Sequence, residues 1–295
     1  MFTASDYIIR VPKARTLLPK HHEILEKYQL SRSRTSLAYT SSGKPRNLLG
    51  TSTKVEKGEK KGWLTKVMYL QPHVNSGFNT CPNATDACSR ACLIQNGNFR
   101  FHATARATYA KTFLWFFHPE YFINRLIMEV LQFGIESNMS DKLGAIRLNG
   151  TSDIKFYEYI NFDKLSNVTG IKFYDYTKNP YRPSLRMPDP KNYSFTFSIS
   201  EHKDSWQRAQ KWIDAGFSAA MVVAALGSKR LKDAKAAQEL ICDRGFFDLL
   251  GKRYPTIHGD DDDLRMLDQQ GSLVILHAKN KALADTTSFV TRVSL

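Results

Sequence analysis

The sequence predicts an α/β protein built on a parallel sheet with crossover helices. Three observations carry this. Short apolar segments read as strands, each one closes in a polar cluster, and helical sequence follows most of them, at a spacing of roughly 25–35 residues. Six or seven such strands predict a β/α barrel, full or partial and TIM-like, with an open doubly wound sheet as the alternative.

The elements follow in chain order. Residues 1–61 carry thirteen Lys and Arg against five Asp and Glu. Stretches such as SRSRTS and KVEKGEKKG promise little apolar burial, so this segment is expected to be a partly ordered basic arm. Residues 62–295 are expected to form a single barrel-like domain. VMYLQ (67–71) is its first strand, followed by a cysteine loop and a long helical pattern over 90–117. A second helix over 119–134 places Phe122, Leu126, Ile127, Val130 and Leu131 at helical spacing. Then come GAIRL (144–148), GIKFYDY (170–176), YSFTFSI (193–199), SAAMVVAAL (218–226), YPTIH (254–258) and GSLVILHA (271–278).

The formal net charge of +14 points to an acidic partner: nucleic acid, a nucleotide or a phosphorylated small molecule. No window approaches a membrane span, and the N-terminus lacks an apolar segment with a cleavage site, so a cytoplasmic location is expected.

Three of the four cysteines, Cys81, Cys88 and Cys92, lie within twelve residues. In a reducing compartment such clustering favours metal binding over disulfides, and soft thiolates suit an iron–sulfur cluster or zinc. Cys242 is either a packed helix-end residue or a fourth ligand. In parallel α/β folds the sites form at the carboxyl ends of strands, so the polar clusters there are the other candidates. Asn149, Gly150, Thr151, Ser152 and Asp153 offer backbone approach, hydroxyls and a carboxylate, or a helix N-cap. Arg147, charged within a strand, needs an anionic partner. Asp175 and Lys178 close one strand, as an ion pair or as catalytic groups. Ser198, Ser200 and Glu201 close the next, the two serines on one face and within reach of a ribose or carboxylate. Asp260, Asp263 and Arg265 follow a strand at Gly259, and two of the acids in this loop could hold Mg²⁺. His258 and His277 are expected to be packing residues.

Taken together, TCPNAT…C…CL, ARATYAKTFLW, RLNGTSDI, FYDYTKNP, FSISE, GDDDDLRMLD and LVILHAKNKA resemble a phage-borne family of unknown function. That family is akin to the mycobacteriophage gene-product-eighty-eight proteins. The resemblance runs from about residue 45 to 285. It implies a phage or mobile-element origin and action in a bacterial cytoplasm, and supplies no reaction. A looser resemblance is to radical S-adenosylmethionine (SAM) enzymes, which place a three-cysteine loop after the first barrel strand and a glycine-bearing SAM loop after the second. Cys81, Cys88 and Cys92 match the first place and Asn149 to Asp153 the second. Ser198, Ser200 and Glu201 match a later one by strand order. The C-x6-C-x3-C spacing departs from that superfamily's usual C-x3-C-x2-C, and NGTSD from its usual GGE-like segment. The expected function is thus a radical SAM-like enzyme with a [4Fe–4S] cluster, acting on a phosphate-bearing or nucleic-acid-related substrate. The rivals are a nucleic-acid-binding protein with structural zinc and a Mg²⁺-dependent phosphoryl-transfer enzyme or nuclease.

Overall fold

The computed structural model describes residues 3–52, 56–95, 97–179 and 187–295. The chain divides into two compact units, Met1–Pro82 with Leu93–Phe173, and Asn83–Cys92 with Tyr174–Leu295.

In the first unit, β1 (Leu49–Gly50) runs antiparallel to β2 (Trp63–Met68), and β2 runs parallel to β3 (Leu143–Arg147) from Trp63↔Leu143 to Val67↔Arg147. α5 (Pro119–Met139) lies against β3, and α4 (His102–Phe117) packs on α5. One residue, His118, ends α4 and starts α5, with Pro119 opening the second helix where its missing N–H costs nothing. Phe122, Ile123, Leu126, Ile127, Val130 and Phe133 are buried along one face of α5, a helical stripe. The long helix expected over 90–117 is broken. A short α3 (Asp86–Arg90) and two 3-10 turns precede α4, because the polar Asn- and Gly-bearing stretch around 97–98 does not sustain helix.

The basic segment also folds into this unit. Helices α1 (Pro19–Lys27) and α2 (Arg34–Ala38) bring Leu25, Leu37 and Ala38 inside, with Tyr7 and His21. Its backbone is tied by Arg15 N donating to Phe116 O (2.7 Å) and Ile9 N to Tyr159 O (2.8 Å). His21 sits among Phe78, Phe113 and Phe117. A further helix, α6 (Phe162–Thr169), is capped by the Asn161 side chain accepting from Lys164 N.

β4 (Lys172–Thr177) begins in the first unit and ends in the second. In the second unit β5 (Tyr193–Ser198) pairs in parallel with β6 (Ser218–Ala225), β6 with β9 (Leu273–His277), and β9 with β8 (Lys252–His258). β7 (Phe246–Leu249) closes an antiparallel hairpin on β8, and β10 (Val290–Val293) runs parallel to the end of β6. Crossover helices α7 (Ser205–Asp214) and α8 (Leu231–Asp243) join these strands, α8 burying Ala234, Ala237, Gln238 and Ile241 at helical spacing. β6 is central and almost continuously buried, as a strand covered on both faces must be.

The α/β class and the mostly parallel strands are thus present. Among the described residues there are ten strands rather than six or seven; the additional ones are the short β1, β7 and β10. The order is also not sequential, since β9 lies between β6 and β8. No pairing among the described residues joins β1 to β7 and closes the sheet.

Candidate functional site

In the first unit the loop after β3 is braced upon itself. Asn149 Oδ1 accepts from Ser152 Oγ (2.8 Å) and Ile154 N (2.9 Å), and its Nδ2 donates to Ile154 O (3.0 Å). Gly150 is required by closeness: a Cβ there would lie 2.6 Å from the Tyr69 ring and 2.8 Å from Met68 O. Thr151 Oγ1 donates to Leu70 O (2.6 Å), and Asp153 N to Thr80 O (2.8 Å). The segment after the loop is a 3-10 turn at Phe156–Glu158, so neither Ser152 nor Asp153 caps an α-helix. Arg147 ends β3, half-buried.

Cys81 belongs to this unit and sits against the same loop. Its Sγ accepts from His73 N (3.3 Å) and donates to Thr151 O (3.6 Å). Cys88 and Cys92 belong to the second unit, Cys88 within α3 and Cys92 just beyond it. Among the described residues no group of three or more His, Cys, Asp and Glu is arranged to hold a metal.

The second unit gathers several of the other candidates. β5 and β8 both run parallel to the strands between them, so Ser198–Glu201 and Asp260–Arg265 leave the sheet at its same end. A pocket of about 210 Å³ is lined by Lys178, Ser198, Ser200, His202, Arg208 and Thr85, among others. Lys178 Nζ donates to Ser198 Oγ (2.5 Å) and lies 5.6 Å from the Phe289 ring. Ser205 Oγ accepts from Ser200 N (2.8 Å), pinning the turn into α7. Glu201 accepts from Thr85 Oγ1 (2.7 Å) and Ala87 N (2.8 Å), so its carboxylate ties the start of α3 to the β5 exit. Asp175 is buried and accepts from Tyr193 OH (2.5 Å).

The acidic loop is held by its own side chains and by those of neighbouring strands. Asp260, buried, accepts from Gln238 Nε2 (3.0 Å), His277 N (3.1 Å) and Lys279 Nζ (2.5 Å), with His277 Nδ1 at 2.9 Å. Burial alone would raise its pKa, but the hydrogen bonds from His277 and Lys279 overcome that and hold the carboxyl far below the usual range. Arg265, also buried, reaches Asp262 (3.2 Å) and Asp268 (2.9 Å), while Tyr174 OH donates to Asp263 (3.1 Å). His277, expected to be a packing residue, is instead part of the Asp260 network. Arg208, His202, Thr85, Gln238 and Lys279 were missed from sequence. The amphipathic SWQRAQKWID following FSISEH was the signal for Arg208; the other four carried none.

The arrangement defines an α/β protein of mostly parallel strands with a small, basic, hydroxyl-lined pocket at one strand exit. The chain belongs to the phage Gene product 88 family, whose model matches residues 46–293. No curated protein and no solved structure matches it. No helix among the described residues is long and apolar enough to cross a membrane.

Proposed function

We propose that the protein binds a phosphate-bearing ligand in the pocket at the β5 exit, and acts on it in the host cytoplasm. The observation that supports this most is the pairing of Lys178 with Ser198 in a pocket that also holds Arg208 and three further hydroxyl side chains. Ammonium, guanidinium and hydroxyl donors converging on a small volume suit a tetrahedral oxyanion. Whole-ligand pockets span roughly 300–1,000 Å³, so about 210 Å³ suits a phosphoryl head group whose remainder lies outside. Glu201 acts here as a brace that holds the pocket wall formed by residues 83–85. Titration of the protein with ATP and with inorganic phosphate, by calorimetry, tests this. Lys178→Met combined with Arg208→Gln should weaken binding by ~10–100-fold, on the order of 1.4–3 kcal/mol. Unchanged affinity would exclude this pocket.

A thiolate metal centre on Cys81, Cys88 and Cys92, as a [4Fe–4S] cluster serving SAM chemistry or as zinc, is the second reading. It is favoured by the cysteine spacing and by the backbone N–H that His73 directs at Cys81 Sγ, a contact that suits a thiolate. On ionisation Cys81 would exchange its bond to Thr151 O for the metal. Iron, sulfide and zinc analysis of anaerobically purified protein, wild type against Cys81→Ser, decides it: a metal content unaffected by the substitution sinks this reading. A Mg²⁺ site on the acidic loop has less support, because Asp260 and Asp262 already face cationic partners.

A further inference from the structure

The first unit contains a second concentration of positive charge, remote in sequence from the β5 exit and made of different residues. Arg46, just before β1, donates its backbone N–H to Ala38 O (2.8 Å) at the end of α2, which packs on α4, the helix that carries Arg106, and the two guanidinium charges repel. Nε and Nη2 of Arg46 and Nε of Arg106 are buried and donate to nothing among the described residues. Only Nη2 of Arg106 is engaged, on Gln29 O at 3.0 Å. Lys111 and Arg125 belong to the same cluster. Lys111 Nζ donates to Leu48 O (2.9 Å), and burial first, then Arg125 and Arg46, pull its pKa down to about 8 despite Glu129.

The acid in this cluster is Glu129, and both its oxygens are committed. Oε1 accepts from Leu48 N and Arg125 Nε, and Oε2 from Leu49 N, each at 2.9 Å. The carboxylate thus answers Arg125 and Lys111, and the charge on Arg46 is met by no acid among the described residues. Buried guanidinium N–H groups without acceptors are costly, and buried charge is normally paired. The missing component is an anion.

We propose that Arg46 and Arg106 form a binding site for a phosphate group, taken either from the phosphodiester backbone of nucleic acid or as free phosphate. The planar guanidinium fork matches phosphate oxygens, and two forks would grip one phosphate from two sides. Tyr28 stacks on Tyr109 at 4.5 Å between ring centres and lies 5.2 Å from His102. His102, Arg106 and Tyr109 share one face of α4 by their spacing, so aromatic rings border the site, as they do where bases stack beside a gripped backbone.

The test reads these two residues directly. The full chain, labelled with ¹⁵N-arginine, is titrated with sodium phosphate and with an oligothymidylate against matched sodium chloride, and the Nε–H resonances are assigned with Arg46→Lys and Arg106→Lys. The expected result is that both resonances shift together and saturate with phosphate or oligonucleotide, but not with chloride. Saturation by the oligonucleotide at a hundredfold lower phosphate-group concentration identifies the backbone as the source; saturation by phosphate alone identifies free phosphate. No saturable shift, or a shift equal to that in chloride, overturns the proposal. The Lys178→Met and Arg208→Gln variant separates it from the β5 pocket: failure of that pocket leaves these resonances shifting.

Discussion

Asp260 is the residue whose surroundings say most about its charge. Its folded pKa is depressed, so the stability it supplies is present above the unfolded value near pH 4 and is lost as the pH falls below it. Asp260→Asn leaves Lys279 without its counter-charge. It should cost roughly 3 kcal/mol at pH 7, and the gap to wild type should close as denaturation is repeated toward pH 2. A gap independent of pH would mean that shape, not charge, holds the loop. Cys242 behaves in the opposite sense. Burial, then Asp261, Asp243 and Asp260, push its thiol up to about 11. Its thiolate fraction at pH 8 is then ~10²-fold below that of a free cysteine, and mass spectrometry after iodoacetamide should find it the slowest of the four to alkylate.

At the scale of elements, the β7–β8 hairpin turns through Leu250 and Gly251, both with positive φ (49° and 78°). A γ-branched side chain pays a steric penalty there that glycine or asparagine does not. Leu250→Asn should raise stability by ~0.5–1 kcal/mol in chemical denaturation, and loss of stability would show that the half-exposed leucine has a packing role. The turn also shows why β7 was not legible in the sequence. Hairpins advertise themselves through Asn-Gly or Asp-Gly, and Leu-Gly is not such a signal. GAIRL and YSFTFSI were legible because buried strands are written locally, as apolar runs, whereas VMYLQ pointed too far along the chain: β2 spans Trp63–Met68 and shares only Val67 and Met68 with it. The insertion of β9 between β6 and β8 is a pairing between segments far apart in sequence, which no local pattern encodes. The site divides in the same way. Lys178, Ser198 and Ser200 announce themselves at strand ends. That Glu201 faces the backbone of residue 87 depends on the fold bringing a distant turn beside it.

On the scale of the molecule, charge counting hid the contribution of the N-terminal segment. Its cationic residues are numerous, but Tyr7, Leu25, Leu37 and Ala38 are buried within the first unit. Deleting residues 3–52 would therefore remove core as well as charge, and a binding defect in such a truncation would say little about electrostatics. Neutralising Lys13, Arg15, Lys20 and Arg34 instead leaves the buried side chains in place. If these residues touch a polyanion, the slope of log affinity against log salt should fall by roughly 0.7–0.9 for each contact removed. An unchanged slope, measured with a labelled oligonucleotide, would confine any nucleic-acid contact to other residues.

The second unit takes residues 83–92 from a stretch that the first unit otherwise owns on both sides. This has a genetic consequence. A single crossover that falls between codons 93 and 173 of two related phage genes leaves neither unit whole: the second unit receives its cysteine-bearing turn from one parent and its strands from the other. Glu201 and Thr85 would then have to come from different ancestors and still meet. Recombinants that survive should be those whose parents agree at both positions, so the pair is expected to be inherited together although more than a hundred codons separate its members.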